Sequence, residues 1–160
     1  MELTEKDIRF MRRAIFLAEQ GMNKKAGGPF GAVIVKDGEI IAEGFNQVTS
    51  TNDPTAHAEV VAIRRACERL KVFQLKGCVI YTSCEPCPMC LGAIYWARPD
   101  RVFFACDRKD AAAINFDDQL IYEEIEKVPS ERKIRFSGIL REEALPVFEK
   151  WKNNNQVIHY

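Results

Sequence analysis

One hairpin followed by regularly alternating helix and strand signals leaves this chain few architectures. Gly31-Ala-Val-Ile-Val-Lys36 carries the β-branched run of a buried strand. Asp37-Gly38 then supplies a two-residue hairpin turn, and Glu39-Ile-Ile-Ala-Glu43 returns. Helical spacing from Thr55 to Leu70 leads to a strand at Cys78–Tyr81, a helix from Pro88 to Ala97 and a strand at Arg101–Ala105. Links this short imply right-handed crossovers, so the expected fold is α/β: a three-layer α/β/α sandwich around a mixed, mostly parallel central sheet. The hairpin supplies its antiparallel edge. Ahead of the hairpin, Ile8, Met11, Ile15, Ala18 and Met22 space out as one helix face, Thr4 with Asp7 forms a capping box, and Gly21 marks the helix end. Gln119–Lys127 and Glu142–Lys152 read as helices, with a short strand at Lys133–Phe136 between them.

No linker, repeat or low-complexity block divides the 160 residues, so one domain spanning 1–160 is expected, with 152–160 as its tail. Lys plus Arg (23) equals Asp plus Glu (23), which weighs against a long phosphate backbone as main partner. The apolar runs 31–35 and 91–97 fall far short of the ~20 residues a membrane span requires. The amino end, Met-Glu-Leu-Thr-Glu-Lys-Asp, lacks a basic-then-apolar leader, and a cytoplasmic address is expected. In such a reducing compartment the six cysteines read as buried thiols or metal ligands rather than disulfides.

Two segments carry chemistry: His57-Ala-Glu59 and Pro86-Cys87-Pro-Met-Cys90, each at a helix start after a turn proline. In an α/β sheet, loops at the carboxyl ends of strands converge on one crevice, so both helix starts can face a single site. One imidazole and two thiolates suit zinc, and three protein ligands leave the open position of a catalytic ion. Cys84-Glu-Pro-Cys87 is a second CxxC pair. Pro88 at the first helical position, however, places Cys87 at the N-cap and Cys90 at N3, where the helix start favours thiolates. His57, Cys87 and Cys90 are therefore the expected ligands of one zinc per chain, with Cys84 a buried, inert thiol. Zinc lowers the pKa of a bound water to about 7, and Glu59 is placed to carry that water's proton to a leaving nitrogen. The expected reaction is hydrolytic deamination of an amidine-like ring carbon.

These residues resemble the H-x-E…P-C-x-x-C signature of the zinc-dependent cytidine deaminase superfamily. The segments 28–38, 52–60, 81–97 and 116–122, and the tail ending in Tyr160, are similar to the bacterial guanine deaminases of that superfamily, a resemblance covering nearly the whole chain. It implies a cytidine deaminase-like fold and hydrolysis of guanine to xanthine and ammonia. It also implies base contacts from Asn46, Asp118 and Tyr160, and a pocket walled by Phe30 and Trp96. A homodimer is implied too, with a carboxyl-terminal segment that closes an active site, sometimes the partner's. By residue type alone, Asn46 suits an Asx turn, Asp118 a helix cap and Tyr160 a frayed end, while Phe30 and Trp96 suit a core. The polar run Lys152-Asn-Asn-Asn-Gln156 departs from the family's tail. The competing readings are a tRNA adenosine deaminase, a cytosine or guanosine deaminase, and a catalytically silent zinc-binding interaction module. Glu59 has no use in the last of these.

Overall fold

The computed structural model describes residues 3–160; Met1 and Glu2, which open the stretch where no leader is expected, lie outside the described residues. Two compact units are present, Met1–Asp118 and Gln119–Tyr160. The first contains α1 (Glu5–Asn23), β1 (Gly31–Lys36), β2 (Glu39–Phe45), the single turn α2 (Val48–Thr51), α3 (Ala58–Leu70), β3 (Cys78–Cys84), α4 (Pro88–Ala97), β4 (Arg101–Cys106) and α5 (Arg108–Ala113). The second contains α6 (Gln119–Glu126), a 3₁₀ turn at Pro129–Glu131 and α7 (Arg141–Lys152).

The α/β sandwich is as expected, a mixed sheet with helices on both faces, but its strand pairing is not mostly parallel. Strand order is β2-β1-β3-β4, and β1 runs antiparallel to both β2 and β3. Among the described residues, parallel pairing is confined to β3–β4. The cause is the crossover through α3, which carries the chain from β2 past β1 and leaves the hairpin's first strand inside the sheet rather than at its edge. β2, β3 and β4 still point the same way, so their carboxyl ends share one edge.

β1 is buried on both faces, and its side chains divide the core. Ala32 and Ile34 pack with Ala58, Ala62, Ala66, Leu75, Ile80 and Ile94 under α3 and α4, whereas Val33 and Val35 pack with Phe10, Ala14, Leu17 and Tyr81 under α1. Each fully buried Val or Ile contributes roughly 1.5–3 kcal/mol. The helices approach closely because two glycines admit them. A Cβ on Gly31 would lie 2.2 Å from the Ala14 carbonyl oxygen, and one on Gly44 would lie 2.4 Å from that of Ala58.

The α1 face expected from spacing is buried only at Ala18 and, in part, at Met11. Phe10, Ala14, Leu17, Ala18 and Gly21 face the sheet, while Ile8, Ile15 and Met22 are exposed. Both stripes have the helical period, and the one carrying Phe10 wins because its small members let the helix sit down on β1. The Thr4–Asp7 capping box is present: Thr4 N donates to Asp7 Oδ2 at 2.8 Å, and Asp7 N donates to Thr4 Oγ1 at 3.2 Å. The helix runs past Gly21 to Asn23, because Gly21 packs against the Phe45 ring rather than ending the helix. In the second unit, the strand expected at Lys133–Phe136 does not form. Glu124 takes up that segment instead: its carbonyl accepts from Arg132 Nε, and its Oε2 accepts from Lys133 N at 2.5 Å.

Candidate metal centre

Because β2 and β3 point the same way, α3 and α4 leave from the same end of the sheet. His57 is the N-cap of α3, and Cys87 is the N-cap of α4 with Pro88 behind it. Both caps have extended backbone. Their side chains turn to each other. His57 Nδ1 lies 3.6 Å from Cys87 Sγ and 3.5 Å from Cys90 Sγ. A tetrahedral zinc with its usual bond lengths separates a nitrogen and a sulfur ligand by about 3.6 Å. The three ligand atoms all lie within 4.8 Å of one another, and this is the one group of three or more such donors among the described residues. Donor chemistry and spacing both fit one zinc ion.

The protons are arranged for a cation as well. Cys87 is pulled down to about 4, first by a hydrogen bond from Cys90, with burial opposing and His57 assisting. Cys90 is pushed up because it donates that bond and is buried. His57 is raised, mainly by its hydrogen bond to Cys87. Cys90 thus keeps one thiol proton, facing both the Cys87 sulfur and Glu59 Oε2, that a divalent ion would displace, and the positive end of α4 favours the change. Cys84 is different. Burial pushes it up to about 12, and its thiol donates to the Asp107 carbonyl at 3.6 Å. The choice between the two CxxC pairs falls on Cys87 and Cys90, as their helix positions predict. His159 packs its ring against Trp151 within the second unit.

Glu59 sits at the second position of α3 and is 6% exposed. Its Oε1 accepts from Thr82 Oγ1 at 3.2 Å, and its Oε2 accepts from Cys90 Sγ at 3.4 Å. Burial is the main influence raising its pKa. Asn46 follows β2 directly and is 3% exposed. Its Oδ1 accepts from Val48 N at 3.1 Å, the Asx turn that residue type suggests, so the amide is oriented with Nδ2 as a remaining donor. Its backbone N donates to the carbonyl of Phe30, just ahead of β1 at the same sheet end. The Phe30 ring meets Phe116 edge-on at 4.9 Å between centroids. Asp118 is half-buried, and burial together with the Cys87 charge raises its pKa, so it lies within electrostatic reach of the ligands. Trp96 lies outside the buried face of α4 and is 63% exposed, while Tyr160, 66% exposed, belongs to the second unit.

Thr82 and Phe116 are contacts that the motif reading passes over. Thr82 had a signal: along β3 it shares a face with Cys78 and Ile80, the face covered by α3.

Residues 4–106 match the cytidine and deoxycytidylate deaminase zinc-binding region. The chain is 60% identical over 144 residues to guanine deaminase of Bacillus subtilis, covering 90% of this chain and 92% of that one. It is 35% identical over 150 residues to the tRNA-specific adenosine deaminase of Aquifex aeolicus, covering 91% and 95%. The crystal structure of guanine deaminase from Bacillus subtilis superposes with a TM-score of 0.93 at 56% identity, covering 99% of each chain.

Proposed function

Because the chain belongs to the cytidine and deoxycytidylate deaminase zinc-binding family, we propose that it hydrolyses guanine to xanthine and ammonia. The observation that carries this reading is a buried carboxylate, Glu59, 3.4 Å from a sulfur of a three-donor zinc group. His57, Cys87 and Cys90 would hold the ion. When bound, zinc supplies Lewis-acid activation of water. The remaining work belongs to the chain. Glu59 takes one proton from the attacking water and passes it to a ring nitrogen, then takes the second from the new carbon-bound hydroxyl and hands it to the amine, which departs as ammonia as the carbonyl forms. One water is consumed and one ammonia released.

Around the reacting carbon, guanine offers N–H donors at N1 and the amine, and acceptors at N3, N7 and O6. Asp118 is suited to accept from an N–H, and Asn46 Nδ2 to donate to an acceptor. Phe30 and Trp96 wall the base, and Tyr160 is a third polar contact. The 60% identity to a guanine deaminase supports this choice over an adenosine in tRNA, as does the even balance of 23 basic and 23 acidic residues. The two units serve one deaminase domain, 1–160, in a cytoplasmic homodimer whose segment 152–160 closes an active site, its own or the partner's.

Ammonia release from guanine, guanosine, adenine, cytosine, cytidine and a tRNA anticodon stem-loop tests the reading. Guanine should give the highest kcat/KM. Release from the stem-loop with none from guanine would overturn it in favour of tRNA adenosine deamination.

A further inference from the structure

The geometry points to Thr82 as a positioning residue that tethers one oxygen of Glu59, Oε1, and so reserves the other, Oε2, for moving protons. This rests on the reading of Glu59 as the proton carrier. Thr82 is fully buried in β3. Packing alone does not call for a hydroxyl there, since valine fills the same volume and suits a strand better. The neighbouring Ser83 hydroxyl is occupied elsewhere, accepting from Gly31 N at 3.0 Å. The Thr82 hydroxyl points instead to Glu59 Oε1, 3.2 Å away, from the strand directly beneath the start of α3.

The second donor to this carboxylate is the Cys90 thiol, on Oε2. A cysteine binds metal as thiolate and then has no proton to give. In the zinc-loaded protein, Thr82 is therefore the side-chain donor left to Glu59 among the described residues. The two oxygens, otherwise equivalent by rotation about the last side-chain bond, become unequal. Oε1 is fixed to the sheet and Oε2 is released toward the ligands. Such a fixed carboxylate shortens the search for the reactive geometry, which acts on kcat rather than on ground-state binding.

Full-length, zinc-loaded Thr82→Val and Thr82→Ser proteins test this alongside the wild type. Zinc content, melting temperature, kcat and KM for guanine, and a crystal structure of each zinc-loaded protein are the readouts. Thr82→Val should keep one zinc per chain and stay folded, with a lower melting temperature because Glu59 Oε1 loses its donor, hold KM within about twofold, and lose roughly 10- to 100-fold in kcat, the loss typical of a hydrogen bond to a charged group. Its crystals should show Glu59 rotated away from its wild-type position, and Thr82→Ser should recover most of the loss. Wild-type kcat in Thr82→Val, an unmoved Glu59, loss of zinc or folding in that variant, or a serine variant no better than valine would each overturn the inference. Wild-type turnover of guanine tests the substrate reading separately, and the position of Glu59 in crystals needs no substrate at all.

Discussion

Replacing Glu59 by Gln separates chemistry from architecture at this site. The carboxylate is 6% exposed, with Thr82 on one oxygen at 3.2 Å and Cys90 on the other at 3.4 Å. A glutamine amide of the same shape can keep the first bond by offering Oε1 to the Thr82 hydroxyl. Its Nε2 can then donate to the Cys90 sulfur, which as a thiolate is an acceptor. No buried polar atom is orphaned, and a buried charge that burial disfavours is removed. Glu59→Gln should therefore keep one zinc and lose no more than about 1 kcal/mol of stability. Turnover should fall by roughly 10²–10⁴, the contribution of a positioned acid–base group, equal to about 2.7–5.5 kcal/mol of barrier. Elemental analysis, thermal melting and ammonia release on one preparation are enough. Near-normal turnover would remove Glu59 from the mechanism, and turnover lost only in proportion to zinc would reassign it to holding the metal centre together.

Cys84→Ser should retain one zinc per chain. Cys87→Ser and Cys90→Ser should each weaken zinc by more than the roughly 10- to 100-fold that outer-shell changes cost, read by competition with a chelating dye. Thr4→Ala should cost about 0.5–2 kcal/mol of stability through loss of the α1 cap, measured by denaturant melts. Hydrogen bonds from Thr4 and then Tyr81 hold Asp7 below its ordinary value of 3.8. The stability this supplies is fully present above that value and lost as pH falls through the lower folded one. The melting-temperature gap between wild type and Asp7→Asn should accordingly close in acid; a gap that stays constant from neutral pH into acid would exclude the linkage. Deleting Val157–Tyr160 should raise KM or lower kcat while leaving the far-ultraviolet circular dichroism and melting intact, and unchanged kinetics would make the tail a frayed end.

The metal ligands were legible in the sequence because each rests on a local rule. Proline after Cys87 fixes a helix start, and a helix start fixes which sulfurs share its end. The buried face of α1 was not legible, since Ile8, Met11, Ile15, Ala18 and Met22 satisfy the same period as Phe10, Ala14, Leu17, Ala18 and Gly21. The choice depends on which stripe is small enough to meet β1, a fact of the partner rather than of the helix. The central position of β1 was hidden for a similar reason: hairpin signals say that two strands pair, not which of them the next crossover will flank. Thr82 lies in between. Alternation along β3 assigns its face, but its bond to Glu59 depends on how far α3 is advanced along the sheet, which no spacing rule gives.

How closely the start of α3 approaches the sheet is set by position 44. With only hydrogen there, the first turn of α3 rests against the outermost strand, and a methyl group would meet the Ala58 carbonyl oxygen at 2.4 Å and the Ala62 nitrogen at 2.8 Å. The histidine and the carboxylate ride on that same turn. Their height above the sheet is therefore gauged by a residue that has no functional group, as a shim gauges a bearing. Variation around the pocket can redraw which ring is accepted, but any side chain at 44 would lift imidazole and carboxylate together, out of step with the sulfurs on α4.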